Sequence, residues 1–219
     1  MHDKSIFVKP TLFAILLGAA PALSADDAWY VGLNGAFTDL DVSSLDVDLP
    51  QAGAGRASID TDSGYGFGFS FGRELAEHWR VELEYNYRSN DVSSISVPAG
   101  EPISEGDYAS TILAGNVHYL FRDAGDTWRP YLGAGFGWIT EVDLDLRDGD
   151  ANESFSGDGT AWQVMGGVSY RPSDNWRIDF EARYLGSSDI TLDPEAGAVG
   201  SIRADYSLYS IGASLKYAF

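Results

Sequence analysis

The chain has no cysteine among its 219 residues. That excludes a disulfide framework and cysteine-ligated zinc, so stability has to come from backbone pairing and side-chain packing. Basic residues are scarce: 14 Lys and Arg stand against 33 Asp and Glu, a formal charge of -19. Such a balance offers no basic footprint for phosphates, and no nucleic-acid partner is expected. Also missing is any run of about 20 apolar residues, the length a helix needs to cross a bilayer. Membrane contact is therefore left to strands or to surface association.

What is present begins with Lys4 and Lys9, an apolar run over residues 11–20, and then Pro21, Ala22, Leu23, Ser24 and Ala25. A basic start, a short apolar stretch and small residues at its end, in that order, read as a secretory signal peptide. Residues 1–25 are expected to be cleaved during export by the general secretory route, leaving residues 26–219 as one domain.

Eight strand-like segments follow, at residues 29–39, 64–75, 79–89, 108–121, 130–142, 160–171, 176–187 and 205–219. In the third, Trp79, Val81, Leu83, Tyr85 and Tyr87 interleave with Arg80, Glu82, Glu84, Asn86 and Arg88. A period of two puts the apolar set on one face and the charged set on the other. The seventh repeats this with Trp176, Ile178, Phe180, Ala182 and Tyr184 against Arg177, Asp179, Glu181 and Arg183. A soluble sandwich shows the same alternation, so the strands alone leave both architectures open. The connections favour one. Residues 76–78, 122–128 and 172–175 are short, residues 40–63, 90–107, 143–159 and 188–204 are long, and the two classes alternate. Short turns at one end and long loops at the other predict an all-β, eight-stranded antiparallel up-and-down transmembrane β-barrel. Aromatics such as Trp29, Trp79, Trp128, Trp176 and Phe219 cluster near the short-turn ends, as a headgroup girdle would.

Three stretches carry a family likeness: WYVGLNGAF at residues 29–37, RPYLGAGFGW at 129–138 and GASLKYAF at 212–219. Through them the chain resembles the outer-membrane β-barrel superfamily that includes the transmembrane domain of outer membrane protein A and the opacity-type small surface antigens. The resemblance implies the outer membrane of a Gram-negative bacterium, with membrane lipid and lipopolysaccharide as surroundings. It also implies insertion by the barrel assembly machinery, which in this family reads the last strand. Gly212, Leu215, Tyr217 and Phe219 fit that signal, with the motif set two residues before the terminus.

If the apolar faces meet lipid, Arg80, Glu82, Glu84, Arg177, Asp179, Glu181 and Arg183 point inward, along with Arg88, Asn116, His118, Gln163 and Lys216. Burying so many charges requires pairing. Arg80 and Glu82 are expected to face Arg177 and Asp179 across the interior, which in an eight-stranded barrel side chains can fill. The alternative use of the same residues is small-solute or ion passage. No catalytic set is found: Glu82/Glu84 and Asp179/Glu181 each have an arginine beside them, and His118 has no serine nucleophile and acid arranged with it. No cofactor and no metal are expected. The long loops hold most of the acid, for example Asp41, Asp46, Asp48, Asp143, Asp145 and Asp150. These loops read as a solvated face or an extracellular ligand surface, with divalent ions bridging to lipopolysaccharide as the sharper hypothesis. Two functions stay open, a structural or surface-interaction protein (envelope integrity, adhesion or host contact) and a small porin or route for apolar ligands; an enzyme ranks last.

Overall fold

The computed structural model describes residues 28–49, 53–75, 78–97, 105–125, 127–148, 151–195 and 200–219. The expected leader, residues 1–25, lies outside them. Among the described residues, nine strands make one antiparallel sheet: β1 (Trp29–Leu49), β2 (Gly53–Thr61), β3 (Gly64–Leu75), β4 (Trp79–Ser96), β5 (Glu105–Leu120), β6 (Trp128–Asp148), β7 (Ala151–Tyr170), β8 (Trp176–Pro194) and β9 (Ser201–Ala218). Each pairs with the next along the chain from β3 to β9, and β1 pairs with β9 from Tyr30↔Ala218 to Asp48↔Ser201, so the sheet closes on itself. The strands β2 and β3 are two runs of one line between β1 and β4. A 3-10 turn at Arg122–Ala124 sits at the short-turn end, and Gly125 after it takes φ 149°, a value side-chain-bearing residues avoid.

Toward the short-turn end every strand turns its apolar residues outward. In β4 the outward set Trp79, Leu83 and Tyr85 is exposed, whereas Arg80, Glu82 and Glu84 are buried. The belt continues around the sheet through Leu33, Phe69, Leu132, Phe180 and Ile211, all at least half exposed. A contiguous apolar surface of that extent is unstable in water.

At mid-height the ladders slip between Val42/Ser44, Asp60/Thr61, Thr111/Ile112, Ile139/Val142, Asp158/Ala161 and Ser187/Ile190. Neighbour pairing (Val42 with Tyr206, Tyr206 with Ser187, Ser187 with Ala161) joins these slips into a collar. An extra residue in a strand shifts a period of two by one. Beyond the collar β1, β4, β6 and β8 therefore change which parity faces in, and the apolar residues lie inside: Leu45, Val47, Ile95, Val142, Leu144, Phe155, Ile190, Leu192 and Ile202 form one buried cluster. The outward positions there are acids such as Asp46, Asp48, Asp91 and Asp145. Polar-inside and apolar-outside below the collar becomes apolar-inside and polar-outside above it.

This corrects the reading of four long loops. Residues 40–49, 53–61, 90–96, 143–148, 151–159 and 188–194 are strand, and β2 is a segment the alternation did not reveal. The alternation there has the opposite sense and is interrupted by bulges, so a search for outward apolar residues stops at the collar. Among the described residues one gap interrupts the wall. β1 pairs with β2 through residues 45–49 and with β3 through residues 29–38, while residues 39–44 have no ladder partner on that side. Side chains close it instead: the Thr61 hydroxyl donates to the Leu40 carbonyl (2.6 Å), the Thr38 hydroxyl to Asn90 (3.1 Å), and the Asn90 amide to the Asp62 carbonyl (3.1 Å).

Candidate functional site

The interior below the collar holds five cations (Arg80, Arg88, Arg177, Arg183, Lys216) and five carboxylates (Glu74, Glu82, Glu84, Asp179, Glu181) among the described residues, all buried or half-buried. Equal numbers matter because an isolated buried charge is far costlier than a paired one. Arg80 reaches across to Asp179 at 2.9 Å. Lys216 joins Asp179 (3.0 Å) to Glu82 (2.7 Å), and the Tyr30 hydroxyl donates to the same Glu82 oxygen at 2.7 Å. The rings of Tyr131 and Tyr30 lie 4.9 Å and 5.9 Å from the Arg80 guanidinium, placing their π-faces against its charge.

A second layer is centred on Arg183, which binds Glu84 through both terminal nitrogens, one at 2.9 Å, and Glu181 at 2.7 Å. Glu181 also accepts from the Tyr131 hydroxyl at 2.8 Å. Asn116 donates to Glu84 (2.9 Å) and accepts from Gln163 (2.6 Å), which carries the network onto β5 and β7. Charge-assisted, forked bonds of this kind fix geometry as well as supplying energy.

Of Arg80, Glu82, Arg177 and Asp179, expected to face one another, the sheet brings one pair together directly. Arg80 does meet Asp179, but Glu82 pairs with Lys216, and Arg177 turns toward the short-turn mouth to meet Glu74 at 3.2 Å. Arg122 of the 3-10 turn binds the other Glu74 oxygen at 3.0 Å. Sequence reasoning missed Glu74, Tyr30 and Tyr131. The parity that places Trp29 and Val31 outward already puts Tyr30 inside, and Ser70, Gly72 and Glu74 share the inner face of β3. A Cβ at Gly72 would run into the Tyr30 phenol, so that glycine is what admits the ring.

His118 is 1 % exposed, 3.8 Å from Glu82 and edge-on to Tyr131. Its ring is closed off from solvent. Among the described residues no three His, Asp or Glu side chains are grouped to hold a metal ion. A cavity of about 50 Å³ separates the charged side chains from a wall of small residues, including Asn34, Thr38, Ser70, Ser210 and Ser214. One water needs at least roughly 10–15 Å³ of such space, so the cavity has room for a few waters. On β9, Leu215 and Tyr217 face outward and Phe219 just past its end is exposed, while Gly212 lies half-buried against Gly35 and Ala36 of β1, at the closing pair.

Above the collar the outer surface of β6 brings Glu141, Asp143 and Asp145 together with Glu195. Partial burial, then repulsion from Glu141, Glu195 and Asp145, raises the Asp143 carboxyl above its usual value. A raised folded-state value means the folded chain binds more protons than the unfolded one. Stability is therefore full below about pH 4 and falls as pH rises through the folded-state value. Asp143→Asn is expected to raise the denaturation midpoint at pH 7 and to change nothing at pH 3; an equal gain at both would rule out the charge as the cause.

The sequence matches the family described as outer membrane protein beta-barrel domain over residues 11–219. The chain belongs to this family. Among solved structures, the outer membrane protein OprG from Pseudomonas aeruginosa is similar with a TM-score of 0.64 and 18% identity, covering 87% of this chain and 95% of that one. Neisserial surface protein A gives a TM-score of 0.57 and 17% identity, with 90% and 98% covered. Outer membrane protein AlkL, solved in lipid bilayers, gives 0.51 and 20%, with 92% and 96% covered. At these identities the likeness is one of fold. No curated protein matches the chain. Membership of the outer membrane protein beta-barrel family supports an outer-membrane location for the chain.

Proposed function

We propose that this chain is an eight-stranded, up-and-down transmembrane β-barrel that seals its own interior and serves a structural and surface-interaction role in a Gram-negative outer membrane, reached through the secretory route. Counting β2 and β3 as one strand position supports eight. The outward apolar run of β4, Trp79 to Tyr87, supplies nine residues, against the roughly 9–11 that a tilted strand needs to span a bilayer. The short-turn end then lies in the periplasm and the acidic half projects outside the cell.

The observation that carries the reading is an interior of paired charges below and packed apolar side chains above, with room for a few waters beside the charges. A rigid, closed stalk of that kind suits envelope integrity, adhesion or host contact through its exterior. Exposed acids such as Asp41, Asp46, Asp48 and Asp145 suit divalent cations bridging to lipopolysaccharide phosphates, and the same face is available to an extracellular ligand. The outward aromatic end of β9, Leu215, Tyr217 and Phe219 with Gly212, suits recognition by the assembly machinery. The buried state of His118 and the ion pairing of every carboxylate pair argue for a non-enzymatic protein.

The ladder gap beside residues 39–44 favours a second reading, a lateral route for small apolar molecules. Half-buried Val42 and Ile59 border it and touch the apolar cluster. Both readings meet one experiment. The refolded protein in a planar bilayer is expected to show no single-channel steps, and in liposomes no accelerated uptake of an alkane dye. Conductance would replace the first reading by a porin, and dye uptake would replace it by the lateral route.

A further inference from the structure

The charged network and the apolar cluster stand in series along one axis. The cavity beside the network reaches up to Thr38 and Ser210, which pair with each other. The next inward pair on those two strands is Leu40 with Leu208, followed around the wall by Leu185, and these are 4%, 1% and 1% exposed. Polar space therefore ends against apolar side chains one step above its last hydroxyls.

We propose that the barrel is sealed twice, by opposite chemistries, and that the apolar half stops ions by itself even when the charged network is opened. The inference rests on the barrel reading above. A charge-lined void can admit water once its ion pairs are broken, because the remaining walls are hydroxyls, amides and carboxylates. Such water then meets a packed apolar section, where an ion loses its hydration and gains no partner. Apolar constrictions gate by dewetting for this reason. Opening only the apolar section leaves the lower seal in place, where Arg80, Arg183 and Lys216 hold their carboxylates across the interior.

Four proteins compared in planar bilayers test this: the unmodified chain, Arg80→Ser/Arg183→Ser, Leu40→Ser/Leu185→Ser/Leu208→Ser, and the combined variant, each first shown to be folded by heat-dependent gel mobility. Steps are expected only in the combined variant. Steps in either partial variant would overturn the series arrangement, and a folded but silent combined variant would show that the seals lie elsewhere. Steps in the unmodified chain would strike instead at the sealed-barrel reading itself.

A gentler measurement covers the case in which the heavier variants do not fold. The chain has no cysteine, so Ser214→Cys places a single thiol on the cavity. A charged methanethiosulfonate reagent added from the acidic end is expected to leave it unmodified, with or without Arg183→Ser. Modification from that end with the leucines intact would overturn the proposal.

Discussion

Replacing Arg183 by alanine is expected to lower stability by about 3–5 kcal/mol, the cost of breaking a buried ion pair from one side. The guanidinium is 10% exposed and is shared by Glu84 and Glu181, while the same Glu84 aligns Asn116, to which Gln163 donates. Its removal leaves two carboxylates close together in the interior with no cation between them. Urea unfolding of the protein in detergent micelles reads the effect as a fall in midpoint. Glu84→Gln added to Arg183→Ala should recover part of the loss, because one of the two uncompensated charges is gone. A loss below about 1 kcal/mol, the scale of an exposed pair, would show that the network is solvated.

Truncating Phe155 to alanine is expected to cost a similar amount, about 3–5 kcal/mol, by emptying a volume that neighbours cannot refill. Phe155 lies on β7 in a region that reads as a connection from sequence, yet it is 1% exposed and sits in the apolar cluster opposite Leu144. In a solvated loop the same change would fall within about 0.5 kcal/mol. Asp158→Ala, three residues along and exposed, is the matched control and should be nearly silent. The pair of variants therefore measures whether the outer half has a core of its own. Equal effects would remove the physical basis for a rigid stalk.

The legibility of the site follows the same division. Arg80, Glu82, Glu84, Arg177, Asp179, Glu181 and Arg183 were readable as inward because strict alternation beside Trp79 and Trp176 leaves them no other face. Their pairing was not. Which carboxylate meets which cation depends on the stagger of β4 against β8 and β9, and on the turn that carries Arg122 to Glu74. Stagger is set by closure of the whole sheet, a sum over all its ladders. Glu74 escaped notice because the other inward residues of its strand are glycines and Ser70, so no alternation of charge leads up to it.

By itself the sequence determined that this is an all-β, disulfide-free chain of strands with one apolar face, with charges opposite it at residues 79–88 and 176–184, since a period of two is a local property of neighbouring residues. It also marked the short-turn end through its aromatics. Only the tertiary structure decided where each strand ends, that the alternation reverses at a collar of bulges, and that the outer half is packed around an apolar core. A bulge is a mismatch between two strands. It has no signature within one strand, so the reversal appears only when each strand is laid against its neighbours.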